Sequence, residues 1–201
     1  MSRDLADPGT SLAAVMTIVV PQTCRQMLLD HARRKLAGRY DADETPDRQA
    51  FGLLGGRRLE STCVVAAEVF PLRRNLRDDA IRGAALDATI RSLARASTTP
   101  LSQRGWLADP QEVMAAQDRC DANGMMLFGS YHMHKTRWNE DPLRDTPTVL
   151  DAALGEGQGL WMLILSMVDP NRPALRAFWE GRRECEAQVV SPRFSFRGLG
   201  Q

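Results

Sequence analysis

The sequence has no C-x-x-C pair. Its four cysteines, Cys24, Cys63, Cys120 and Cys185, lie far apart, which argues against a cysteine-built zinc site and against a disulfide framework. Reduced thiols in a cytoplasmic protein are the simplest reading. Long apolar runs are also missing: Leu12 to Val20 is the longest near the N-terminus, about half of a bilayer span. No basic flank followed by a small-residue cleavage site marks a signal peptide, so no membrane partner is expected. Charge of one sign is lacking too. With 26 Lys and Arg against 25 Asp and Glu the formal net charge is +1, and nothing at whole-chain level calls for nucleic acid. Arg33-Arg34 and Arg182-Arg183 read as solvated surface. No internal repeat or low-complexity tract occurs, and no Cys or Ser stands in a convincing nucleophile setting.

What is present suits one globular domain with a real core: 201 residues, 43% hydrophobic and 25% charged. Residues 1–11, polar with Asp, Pro and Gly, read as a loose leader, and 12–201 as the domain. The β-branched Met16 to Val20 predicts a strand. A helix follows from Pro21 to near Gly38, with Met27, Leu28, His31 and Ala32 on one face. Phe51 to Gly56 and Cys63 to Phe70 read as adjacent strands joined by a Gly-Gly-Arg-Arg turn. Leu86, Ile90 and Leu93 predict an amphipathic helix over 79–95. Asp109-Pro110-Gln111-Glu112 is a helix start with the pattern of a capping box, and Asn123-Gly124 is its left-handed stop. Strands are expected from Met125 to Gly129, leading directly into Ser130-Tyr131-His132-Met133-His134, from Leu160 to Met167, from Ala174 to Trp179 and over 185–196, with a helix starting at Thr146-Pro147-Thr148. Strands with flanking helices predict an α/β or α+β layer.

The chemistry concentrates in His132-Met133-His134, which takes two of the three histidines. On a strand, i and i+2 share a side, so both imidazoles reach one point. A catalytic zinc takes three protein ligands and leaves one position open. Asp151 is the third candidate: a helix beginning near Pro147 places Thr148 and Asp151 at i, i+3. The plainer reading stays open, since Thr-x-x-Asp after proline is also an ordinary helix cap. His31, beside Leu28 and Ala32 on a helix, reads as structural or surface.

Three segments together resemble the JAMM (JAB/MPN) metallopeptidase family: Gln49-Ala50-Phe51-Gly52-Leu53-Leu54-Gly55-Gly56, Gly129-Ser130-Tyr131-His132-Met133-His134, and Pro147-Thr148-Val149-Leu150-Asp151. Val69-Phe70-Pro71-Leu72 with Asn75, and Asp109 to Glu112, fit the same context, and the likeness runs over roughly residues 16 to 180. The resemblance implies a cytidine-deaminase-like β-sheet flanked by helices, with a helical insertion at about 76–105 that shapes partner choice. It implies that His132, His134 and Asp151 hold Zn2+, that Thr148 stabilises the oxyanion, and that position 49 is the general base.

The sequence departs from that pattern at three places. Gln49 stands where the family has glutamate, and an amide cannot accept a proton, so turnover is expected to be weak or absent with zinc still bound. A natural pseudo-enzyme and an engineered substrate trap both fit. Glu44 and Glu68 are fallback bases on shifted alignments. Thr148 replaces serine, and Lys135 replaces proline ahead of a long loop to Thr148. In that loop Trp138 is a substrate-binding candidate, as exposed anchor or as packed lid.

The function so implied is a zinc isopeptidase or peptidase that cleaves after the C-terminal glycine of a ubiquitin-like protein or its conjugate. The tail would bind at a sheet edge. Activating- and conjugating-enzyme-like operon partners and an antiviral conjugation system are the implied setting. The alternative is a non-catalytic MPN-type module that holds the same partner.

Overall fold

A computed structural model describes residues 11–93 and 99–192. All of the expected leader except Ser11 lies outside the described residues, as do positions 94–95 of the expected second helix and 193–196 of the expected last strand. The elements in chain order are β1 (Thr17–Val19), α1 (Gln22–Leu36), β2 (Phe51–Glu60), β3 (Cys63–Pro71), α2 (Ala80–Ser92), α3 (Pro110–Ala122), β4 (Met126–His134), α4 (Val149–Gly155), β5 (Trp161–Ser166), β6 (Ala174–Trp179) and β7 (Glu186–Val190). Among the described residues no helix is long and apolar enough to cross a membrane.

The strands close into a barrel in the order β1-β3-β2-β4-β5-β6-β7. This corrects the expected open, helix-flanked sheet of the cytidine-deaminase type. The closing element is β1, whose Thr17, Ile18 and Val19 pair parallel with Cys63, Val64 and Val65 of β3 on one side and with Gln188, Val189 and Val190 of β7 on the other. Three residues thus abolish two would-be edges, which a local pattern does not reveal.

Alternation along the strands divides the apolar residues between two faces. Leu54, Tyr131, Met133, Leu163 and Leu165 join Cys24, Leu28 and Ala32 of α1 in the main core. Phe51 and Leu53 pack instead with Leu72 and with Ala116 of α3, and Met162, Ile164 and Phe178 form a third cluster. His132 and His134 belong to this second face, which α3 covers in part.

The Gly-Gly-Arg-Arg segment is not a turn. β2 runs through it to Glu60, and the reversal comes at Ser61-Thr62. The glycines serve close approach: a Cβ on Gly56 would lie 2.4 Å from the Val65 carbonyl oxygen, and one on Gly52 would lie 2.3 Å from that of Phe70 and 2.6 Å from the Tyr131 ring. Helix α3 starts where expected, with Asp109 accepting from the Gln111 amide. Glu112 completes no capping box, however; its carboxylate accepts from the Arg73 and Arg74 amides and ties α3 to the chain leaving β3.

Beneath residues 44–49 lies a buried ionic cluster. Lys35 is fully buried on α1 and contacts Glu44 Oε1 at 3.3 Å, Asp47 Oδ1 at 2.9 Å and the Thr45 carbonyl at 3.1 Å. Arg34 gives both terminal nitrogens to Glu44. His31 is buried, with Nδ1 2.7 Å from the Tyr131 hydroxyl and Nε2 3.5 Å from Glu44. Asp47 also accepts from Asn75 Nδ2 at 2.7 Å and from the Gln49 amide at 3.3 Å. A loop without regular structure is thereby anchored from below, and it carries Gln49.

Two outcomes follow. Gly52→Ala should destabilise the fold by roughly 1–3 kcal/mol through overpacking, read as a lowered urea midpoint with unchanged slope. The cluster should also make the protein acid-labile. Burial, with the Arg34 charge, lowers His31 from 6.5 to about 4, so its contribution is complete above pH 6.5 and is lost as pH falls toward 4, because the unfolded chain takes up the proton first. The span is worth about 3 kcal/mol. Burial alone would raise Glu44, but the Arg34 fork and its other partners outweigh it and lower the carboxyl from 4.5 to about 2; that stability is lost between those values. Urea denaturation from pH 7 to pH 4 should show the first loss, and His31→Gln should flatten it. A wild-type midpoint that is constant over that range would refute the account.

Candidate metal centre

Strand β4 carries both histidines, and its register decides where they point. Phe51 pairs with His132 on the β2 side, and Ile164 pairs with His132 on the β5 side. The Met133 amide donates to the Ala50 carbonyl at 2.8 Å, so the antiparallel register continues past the end of β2 and sets Gln49 across from His134.

Asp151 arrives from the other side on α4. Thr148 is the N-cap, its Oγ1 accepting from the Asp151 amide at 3.1 Å while Asp151 Oδ2 accepts from the Thr148 amide at 2.6 Å. The plain capping reading is therefore realised, and the ligand reading requires the same carboxylate to reach both histidines. Asp151 Oδ1 lies 3.1 Å from His132 Nε2, Oδ2 lies 3.4 Å from His134 Nε2, and the two Nε2 atoms are 3.0 Å apart. Among the described residues, these three form the group of His, Cys, Asp and Glu side chains able to hold a metal ion.

The donor set fits zinc. Ligand atoms about 2.0–2.1 Å from a tetrahedral zinc stand about 3.3 Å from one another, close to the separations found. His134 Nδ1 lies 2.9 Å from the Arg144 carbonyl oxygen and donates to it, which leaves Nε2 as a bare lone pair aimed at the centre. Burial lowers His134 from the usual imidazole value, against the opposing pull of Asp151, and so favours its neutral form. Burial would raise the Asp151 carboxyl, but the two imidazoles against it outweigh that and hold it well below the usual range. Among the described residues His132 Nδ1 is buried without a hydrogen-bond partner, and its ring lies 6.2 Å from that of Trp106.

The centre opens into a cleft of about 680 Å³. Its lining is contributed by Gln49, His132 and His134, by Ile90, Leu93, Arg104 and Trp106 from the chain between β3 and α3, and by Trp138, Arg144, Thr148 and Asp151 from the chain after β4. The segment expected as an insertion, about 76–105, thus contributes Ile90, Leu93 and Arg104 to the lining. The long loop after β4 is tightly held: Asp141 accepts from the Arg144 amide at 2.8 Å and from Thr146 Oγ1 at 2.7 Å, Ser166 donates to the Leu143 carbonyl, and Arg183 donates to the Pro147 carbonyl at 2.9 Å.

All six residues singled out in the sequence thus border one cleft. Trp138 is half-buried, its ring 3.6 Å from the Arg144 guanidinium carbon, which is the packed-lid arrangement rather than the exposed anchor. Neither fallback base reaches the cleft: Glu44 is consumed in the buried cluster, and Glu68 pairs with Arg119 at 2.7 Å. Residues not singled out are Trp106, stacked on Phe51 at 4.6 Å, Asp47, Lys35 and Arg144. Only burial and loop geometry mark them, and neither is written in a local motif.

No protein-family model and no curated protein matches the chain. Among solved structures it is similar to a Desulfitobacterium hafniense protein determined in solution, with 22% identity, 87% of this chain and 92% of that chain covered, and a TM-score of 0.56. It is also similar to a Salinibacter ruber protein at 17% identity, with 88% and 92% covered and a TM-score of 0.47. Both are described only as proteins of a structural genomics consortium, and the first likeness speaks to fold alone. The family membership implied by the three segments is corrected accordingly: the barrel is closed, not the sheet of the JAMM fold, and the Desulfitobacterium hafniense structure carries no such assignment.

Proposed function

We propose that the cleft is a mononuclear zinc site that hydrolyses a peptide or isopeptide bond, impaired at the proton-transfer step by Gln49. The observation that carries this reading is the convergence of His132, His134 and Asp151 at tetrahedral spacing, at the foot of an open cleft. When bound, zinc supplies Lewis-acid activation of water and of the scissile carbonyl. The Arg144 carbonyl keeps the His134 tautomer that ligates. Thr148 accepts from Asp151 with its oxygen and retains a hydroxyl proton to donate to the developing oxyanion. Gln49, across from His134, can orient a water by hydrogen bonding but cannot take its proton.

The substrate in this reading is an extended tail such as that of a ubiquitin-like protein. It lies along the cleft rather than on a strand edge, because β2 and β4 are hydrogen-bonded on both sides next to the histidines. The unpaired thiols suit a reducing compartment, the cytoplasm. Gln49 favours a second reading, a zinc-bound module that holds such a tail without cutting it.

Metal analysis of purified protein should find about one zinc per chain, since three ligands and an open position make one site. Asp151→Asn keeps an oxygen for the cap yet loses the charge. It should leave α4 folded by circular dichroism and weaken zinc by more than the roughly 10–100-fold typical of losing an outer-shell partner. A variant that binds zinc like the wild type would remove Asp151 from the site.

Gln49→Glu should raise cleavage of a glycine-terminated, tailed ubiquitin-like substrate by about 10²–10⁴, with zinc content unchanged. Zinc bound and no cleavage by either form would leave the module reading standing.

A further inference from the structure

The cleft wall contains a charge that the proposed chemistry does not use. Arg144 is only 7% exposed. Its Nε donates to the Thr136 carbonyl at 3.2 Å, but Nη1 is buried with no hydrogen-bond partner among the described residues. Among the described residues no carboxylate forms an ion pair with it: Asp141 is occupied by the Arg144 backbone amide and Thr146, and Asp151 by the histidines and its cap. Asp151 and Asp141 favour its charge from a distance, but neither pairs with it, and a buried guanidinium without a hydrogen-bonded carboxylate is compensated for its desolvation only in part. The backbone at Arg144 is held at φ +50°, a left-handed conformation that a residue with a Cβ adopts at a cost, and such strain collects at ligand sites.

The surroundings point to the missing partner. The cleft is lined by five cationic residues and three carboxylates; of these, Asp47 is paired with Lys35 and Arg77 with Asp87, which leaves the cations in excess. The field in the cleft therefore favours an anion. A planar guanidinium is the side chain best matched to a carboxylate, through charge-assisted and bidentate hydrogen bonds. Trp138 covers the guanidinium at 3.6 Å, and a second hollow of about 330 Å³ is lined by the same indole together with Pro147 and Ala152. The hollow adjoins the cleft at Trp138, Thr148 and Val149, which line both.

We propose that Arg144 is the anion receptor of the cleft: its guanidinium binds the C-terminal carboxylate of a peptide chain end, and Trp138 turns aside into the neighbouring hollow to admit it. The choice of a peptide as the carrier of that carboxylate rests on the hydrolase reading; the receptor itself does not require the metal.

The test uses the full chain, zinc-free and zinc-loaded, with N-acetyl-Gly-Gly and its C-terminal amide as probes. They differ only in the carboxylate. Calorimetry on zinc-free protein should give binding of the acid about tenfold or more tighter than the amide, the scale of a hydrogen bond to a charged group. The acid should change the tryptophan fluorescence, and Trp138→Phe should abolish that change. Arg144→Gln should bring the acid down to the affinity of the amide, and Arg144→Lys should retain part of the difference. Equal binding of acid and amide by the wild type overturns the proposal without any variant, as does an Arg144→Gln protein that binds the acid normally. If purified protein takes up no zinc, the hydrolase reading fails while the acid–amide difference still decides the receptor. If zinc binds and the two probes bind alike, the receptor alone fails.

Discussion

Strand β4 is hydrogen-bonded on both sides, to β2 through Phe51 and His132 and to β5 through His132 and Ile164. Side chains alternate with period two, so a slip of one residue against either neighbour would turn both histidines into the apolar core and bring Tyr131 and Met133 out. The apolar residues on either side make that slip prohibitive. Tyr131 and Met133 are buried in the main core, and Phe51 and Ile164 are buried on the face that the histidines share. The same register carries Gln49 opposite His134. One constraint thus sets three of the residues that meet in the cleft.

The fourth comes from an independent device. Asp151 serves the helix and the histidines at once, one oxygen on the Thr148 amide and the other toward His132. A capping box is worth about 1 kcal/mol, too little to build a site, but it fixes the carboxylate's direction. Arg144 does the corresponding service for His134, since its carbonyl selects the tautomer. The loop that holds this carbonyl is itself held by Asp141, Ser166 and Arg183. Site geometry therefore depends on rigid elements for the ligands and on a well-tied loop for their orientation.

Much of the candidate site was legible before the fold was. His132 and His134 at strand spacing, and Thr148 and Asp151 at helix-cap spacing, are local patterns with local causes, and they are found as read. Other local readings failed for reasons that lie far away in the chain. Gly55-Gly56 looked like a turn, but glycine there answers the approach of Val65, Phe128 and Phe70. Glu112 looked like half of a capping box, but its carboxylate is claimed by two amides near β3. The family likeness drawn from three segments pointed to an open sheet, because nothing in those segments speaks to how β1 and β7 meet.

The sequence by itself determined which residues can ligate and which cannot act as a base: imidazoles two apart on a strand, a carboxylate three after a cap, and an amide at position 49. These follow from side-chain chemistry and the periods of strand and helix, and need no knowledge of the rest of the chain. Only the tertiary structure decided that the barrel closes, that Lys35 and Glu44 are buried beneath the loop bearing Gln49, and that Arg144, under Trp138, lines the cleft with no carboxylate paired to it among the described residues. Each of these depends on pairing or burial between residues distant in sequence. The energy of a buried charge or a closing strand is set by what surrounds it, and not by its neighbours along the chain.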